Sequence, residues 1–211
     1  MVVWNCPSRH EVIPGPRANG GRGLKLLYHG SIVPERVPYA LIEALARLPE
    51  EVTLDLTGYE TVGSSGYLKK LRDLANTRNV TSRLAINGAV SRRALMGECT
   101  RFDVGIALIP RKTSDANFLS MTGASNKPFD YLACGLPVLV SDLPDWREMF
   151  VQPGYGLACD PADPSSIAAA VLTLYEDPVQ MRAMGERGRQ RILSEWNYEA
   201  QFGAVVTAWG C

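Results

Sequence analysis

Histidine is scarce in this chain: two in 211 residues, His10 and His29. That supplies neither a local Ser-His-Asp set nor the ligands of a usual zinc site. The five cysteines (Cys6, Cys99, Cys134, Cys159 and Cys211) lie far apart, with no Cys-x-x-Cys spacing. They read as buried or free thiols in a reducing cytosol rather than as a disulfide framework. No Asp-x-Asp occurs, so a metal held through paired carboxylates against a diphosphate has no evident ligands. Net charge is absent too: 22 Lys plus Arg balance 22 Asp plus Glu. A neutral chain gives no general reason to expect nucleic acid or an acidic membrane as partner. There is no run of 18 apolar residues to cross a bilayer. The opening "MVVWNCPSRHEV" has neither the charged start nor the long apolar core of a signal peptide. Internal repeats and low-complexity tracts are also missing.

What remains is ordinary globular composition, 46% apolar and 21% charged, enough for one large domain or two small ones. Residues 5–23, rich in proline and glycine, read as a linker or surface loop. Beyond them short apolar runs predict strands at 24–30, 52–58, 83–88, 103–110 and 137–142. Helical spacing predicts helices at 39–48, 67–77, 91–99 and 128–135, then two with Asp-Pro starts at 163–177 and 177–195, and a last at 198–209. Ser91 is the expected cap of the third helix, and 128–135 has Pro in its first turn and Gly past its end. Strands that are apolar throughout and alternate with helices predict an α/β fold, a doubly wound, Rossmann-like parallel sheet. In such sheets ligands bind beyond the carboxyl ends of the strands, so chemistry is expected in the loops 30–38, 58–66, 88–91, 109–127 and 141–145.

The loop 109–127 is long for its place and closes with "TGASNKP" at a helix start. Unpaired amides and a partial positive charge there suit phosphate, Gly123 and Ala124 would admit an anion, and Lys127 adds a full charge. The plain alternative is a helix cap by Ser125 or Asn126. Asp130, one turn further in, can accept hydrogen bonds from a ribose diol; the plain alternative is an acid placed to suit the helix dipole. Gly30 opens a tight turn after the first strand, and Arg36 can reach back to an anion or lie on a surface helix. The strand end "INGAV" (86–90) offers small and apolar atoms for the face of a base.

Together these stretches resemble the carboxyl-terminal half of retaining glycosyltransferases of the GT-B fold, family 4. "LLYHGSIVPERVPYALIEAL" is similar to the family's first strand, loop and helix, and "FDYLACGLPVLVSD" to its Glu-Ala-Met-Ala-x-Gly-x-Pro-Val stretch. "GYGLACDPADPSSIAAAVLTLYEDP" and "RGRQRILSEWNYEAQ" look like its ending. The resemblance implies a domain that holds a nucleotide-diphosphate sugar (UDP- or GDP-linked), with no cofactor, no required metal and no catalytic residue of its own. It places Asp130 on the ribose, Gly88 to Val90 against the base, and Gly30, Ser31, Arg36, Gly123, Ala124, Ser125, Asn126 and Lys127 around the diphosphate. The sequence departs from the pattern at Ser31, where the family has Arg, at Arg36, where it has Lys, and at Val37, where it has Gly. Thr122 stands where the family has the first Glu of its Glu-x7-Glu motif, the acid that meets the donor sugar.

The same resemblance divides the chain into an interdomain linker (1–23), a donor-binding domain (24–197) and a final helix (198–211) that crosses back to an amino-terminal acceptor domain, in cis or as a separate chain. Phe202, Val205, Val206 and Trp209 form one stripe on that helix, expected either to pack on its own domain or to support self-association. The expected location is the cytoplasm, at the inner membrane surface where the other half carries it there. Two other readings stand beside the transferase. A nucleotide-sugar binding module that has lost transfer is favoured by Ser31 and Thr122. A flavodoxin-like signalling domain expects acids after the first strand, which "LLYHGS" lacks.

Overall fold

The computed structural model describes residues 3–13, 23–119 and 121–209, with the backbone alone for 119, 204 and 208. Residues 14–22, much of the expected linker, and Cys211 lie outside the described residues.

Six parallel strands form one sheet: β1 (Leu24–Ser31), β2 (Val52–Tyr59), β3 (Leu84–Asn87), β4 (Val104–Ala107), β5 (Val138–Ser141) and β6 (Gly156–Cys159), in the order 3-2-1-4-5-6. This is the doubly wound Rossmann order, with its switch point between β1 and β4. The helices are α1 (Tyr39–Leu45), α2 (Tyr67–Thr77), α3 (Arg92–Cys99), α4 (Ala116–Leu119), α5 (Asn126–Ala133), α6 (Pro144–Trp146), α7 (Pro164–Glu176), α8 (Pro178–Ser194) and α9 (Tyr198–Trp209). α6 runs on into a wide turn of π-helical type, Arg147–Val151.

Alternation along β1 explains the two layers. Leu24, Leu26 and Tyr28 point into a core shared with α1, α2 and α7, whereas Leu27 points into a second core with α5, Trp146, Phe150 and Trp196. α7 and α8 start as their Asp-Pro pairs predict. Asp163 accepts from the Ser165 amide and Asp177 from the Gln180 amide, both at 2.8 Å. Ser91 caps α3 through the Ala94 amide at 3.3 Å. α1 is shorter than its periodicity predicts, ending at Leu45, because Pro49 follows one turn on and the chain must turn into β2. β6 escapes the sequence reading: "GLAC" is short and lacks β-branched residues, and only pairing with β5 makes it a strand.

The segment 3–13 is seated on the second core. The Trp4 ring lies 5.5 Å from Trp196 and 6.1 Å from Phe129, and the Ile13 amide donates to the Ala133 carbonyl at 3.0 Å. α9 packs beside it, with its Tyr198 amide on the Pro7 carbonyl at 2.9 Å and Glu199 on Ser8 and Arg9. Over β2 and β3 the second face carries Thr53, Asp55, Ala85 and Asn87, and a groove of about 570 Å³ runs along it.

Candidate functional site

α5 is fixed to the sheet at the switch point by Tyr131. Its hydroxyl accepts from the His29 amide of β1 at 3.0 Å and donates to the Ile106 carbonyl of β4 at 3.2 Å. The ring lies flat on Gly105, where a Cβ would come within 2.1 Å of it. Lys127, one turn earlier on the same helix, is thereby aimed across the end of β1. Gly30 makes room for it: φ is +116°, and a Cβ there would sit 2.9 Å from the Lys127 Cε.

Lys127 is 7% exposed, and its amine has no hydrogen bond or ion pair among the described residues. It lies 5.8 Å from the centre of the Tyr28 ring. Burial, helped by the neighbouring Arg36 charge, lowers its pKa to about 8, with Asp130 opposing. It is still charged at neutral pH. Arg36 donates to the Ser31 hydroxyl at 3.2 Å and lies 5.7 Å from the Phe118 ring of α4. Two cations with no carboxylate between them therefore face one gap, bordered by Ser125 and Trp146. That gap is small, about 10 Å³, room for one water.

Asp130 is fully buried. Arg92, at the start of α3, holds both its oxygens at 3.0 and 3.3 Å and is itself paired with Glu11. On the other side His29 Nε2 stands 3.6 Å from Asp130 Oδ2, buried and without a hydrogen-bond partner among the described residues. Burial raises Asp130 to about 6 and lowers His29 to about 3. At neutral pH the carboxylate is therefore charged and the imidazole is not. Arg92 and His29 escape the sequence reading as parts of the site. Neither lies in a motif, and only the docking of α5 on β1 and α3 brings them to Asp130.

The sequence-derived site residues thus fall into several places. Gly30, Ser31, Arg36, Ser125 and Lys127 converge at the switch point. Asp130 is held one turn deeper. Asn126 opens α5, and Ser125 occupies the cap position without a side-chain capping bond. Gly123 is buried with φ +72°, and a Cβ there would meet the Trp4 indole at 2.6 Å, while Ala124 beside it is exposed. Thr122 points the other way and donates to Asp145. Gly88 and Val90 are exposed at the end of β3, two strands from β1, or about 10 Å at ordinary strand spacing. They line the wide groove beside Asn87 and Arg101. Among the described residues no three His, Cys, Asp or Glu side chains are grouped to hold a metal ion, and no helix is long and apolar enough to cross a membrane. Among the described residues Cys6, Cys99, Cys134 and Cys159 form no disulfide.

The sequence pattern of the family described as glycosyl transferases group 1 matches residues 13–191, most of the chain. The chain belongs to that family. Among curated group 1 relatives, a GDP-mannose-dependent monoacylated alpha-(1-6)-phosphatidylinositol monomannoside mannosyltransferase of Corynebacterium glutamicum is 28% identical over 138 residues, covering 65% of this chain and 35% of that enzyme. The chain spans less than half the length of the curated relatives it matches. Among solved structures, Anabaena HepE in complex with UDP and glucose superposes with a TM-score of 0.79 at 14% identity, over all of this chain and 56% of that one. The carboxyl-terminal domain of a group 1 glycosyl transferase from Francisella tularensis gives 0.71 at 14% identity, over 90% of this chain and 98% of that one. The fold is thus that of one Rossmann-like half of the GT-B architecture, and the chain fits its carboxyl-terminal half.

Proposed function

We propose that this group 1 domain is the donor-binding half of a retaining glycosyltransferase. It holds a nucleotide-diphosphate sugar for transfer to an acceptor bound by an amino-terminal domain. The observation that carries the reading is the Lys127 side chain, buried, charged and without a hydrogen bond or ion pair among the described residues, facing the same gap as Arg36 at the sheet's switch point. Two enclosed cations favour an anion strongly, and a diphosphate offers one oxygen set to each. The protein's own cations, with the amides at the start of α5, supply the neutralising charge.

The remaining parts follow from the same frame. At about 10 Å³ the gap must widen before a diphosphate enters it. Arg92, whose side chain is 42% exposed, can turn to solvent and free the Asp130 carboxylate for a ribose diol. The base then lies toward Gly88 and Val90, at the mouth of the wide groove. The donor's base is either uracil or guanine. The C. glutamicum relative is named for GDP-mannose and the HepE structure holds UDP, both of which keep that choice open.

A second reading is favoured by two contacts. Ser31 is bonded to Arg36 and Thr122 to Asp145, at the positions where the resemblance places a diphosphate Arg and a sugar-binding Glu. With both replaced, the domain would bind a nucleotide sugar without supporting its transfer. A thermal-shift panel of UDP, GDP, ADP and the matching nucleosides tests the donor reading and selects the base. Stabilisation by one diphosphate and not by its nucleoside is expected; no response to any diphosphate overturns both readings.

A further inference from the structure

On the far side of Thr122 from the cations lies a cleft of about 540 Å³, a size usual for small-molecule sites. Trp4, Tyr155 and Trp196 form its walls, and Glu148 and Gln152 stand on its rim. Both rim side chains are exposed and make no hydrogen bond or ion pair among the described residues. Trp196 is 3% exposed, yet its indole Nε1 has no hydrogen-bond partner among the described residues. Arg191, whose guanidinium lies 5.2 Å from the Trp196 ring, likewise has a buried Nε without one.

Both of those donor atoms are sealed from solvent, so what the cleft itself offers is a free carboxylate, a free amide and aromatic edges around one space. A pyranose presents the matching chemistry: apolar C–H patches for the rings, and hydroxyls that both donate and accept. A cationic ligand fits less well, because Arg191 already takes the cation position over Trp196. We propose that this cleft is a saccharide-binding subsite for one neutral pyranose unit, separate from the nucleotide site. It requires neither Lys127 nor Arg36, so it stands apart from the donor reading. The Thr122–Asp145 bond, both of whose residues line the cleft, sets it on the same strand-end side of the sheet as the cations. A sugar unit held there belongs to a glycan, not to the nucleotide.

Tryptophan labelled with nitrogen-15 tests this, because the chain has four tryptophans and hence four indole N–H signals, assignable by single Trp→Phe variants. Without nucleotide, methyl α-glucopyranoside, methyl α-mannopyranoside or maltose is expected to move the Trp196 signal saturably. Glu148→Ala, an exposed change, should weaken that binding about tenfold, as loss of a charged acceptor does. Three outcomes overturn the proposal: no saturable movement with any of the three sugars; movement with tetramethylammonium alone; or a Glu148→Ala effect no larger than that of Glu176→Ala on the exposed end of α7. Movement seen with UDP-glucose or GDP-mannose but with no free glycoside assigns the cleft to the donor's own sugar, and also overturns it.

Discussion

Arg92 holds both oxygens of Asp130, at 3.0 and 3.3 Å, while the same guanidinium is paired with Glu11. This ties the segment 3–13 to the carboxylate beneath the cationic gap. His29 closes the other side at 3.6 Å, so a buried acid and a buried base share one enclosure.

That pair predicts a pH signature. Burial raises Asp130 from 3.8 to about 6, so at intermediate pH the folded carboxyl keeps a proton its unfolded counterpart has lost, and its contribution to stability falls as pH rises. Burial lowers His29 from 6.5 to about 3, so the unfolded ring takes a proton the folded one refuses, and its contribution is lost as pH falls. Between about pH 4 and 6 the two slopes oppose each other. Relative to the parent chain, Asp130→Asn should therefore lose stability on acidification and His29→Gln should gain it. Each slope is up to about 1.4 kcal/mol per pH unit. Urea titrations across this range check it; slopes of the same sign in both variants contradict the pairing.

Tyr131 predicts a structural dependence of the site. Gly105→Ala would place a methyl within 2.1 Å of the Tyr131 ring and push it off β4. Overpacking of this kind costs about 1–3 kcal/mol. Because Lys127 rides on the same helix, diphosphate affinity should fall with it. A variant that melts as the parent does and binds diphosphate normally would show that Tyr131 does not position Lys127.

Much of this was legible in the sequence, and the exceptions share a cause. Strands and helices with a clear apolar pattern, such as 24–30 and 67–77, lie where that pattern puts them. The turn before α5 and the Lys127–Arg36 convergence followed from helix-start chemistry and the rule that ligands sit at strand ends. Asp130 read as an open carboxylate because nothing in "KPFDYLACG" signals Arg92 or His29, which arrive from α3 and β1 through tertiary packing. Gly123 read as clearance for an anion, whereas in the fold its open side is filled by Trp4, 119 positions earlier in the chain. The sheet order was not legible at all, since parallel strand pairing leaves no mark on spacing.

α9 predicts association. Phe202 is 41% exposed, Val206 39% and Trp209 82%, on one side of the final helix, with Tyr198 stacked on Phe202 at 5.3 Å. An apolar stripe so placed favours self-association or docking to an amino-terminal half. Sedimentation should show concentration-dependent association that Phe202→Ser reduces. A parent chain that stays monomeric at every concentration would remove this expectation.

The most direct test of the donor reading is a calorimetric comparison of the parent chain and Lys127→Met, titrated with the nucleoside diphosphate selected by the thermal-shift panel and with its nucleoside. Holding the amine charged while buried costs the fold about 3 kcal/mol, from a pKa lowered by burial from 10.5 to about 8. That cost is fully present at pH 7 and relieved only as pH rises through this range. The variant should therefore melt higher than the parent while losing diphosphate affinity by about tenfold or more, with nucleoside binding unchanged. Equal affinity of parent and variant for the diphosphate, or equal losses for diphosphate and nucleoside, would contradict the assignment of Lys127 to the donor.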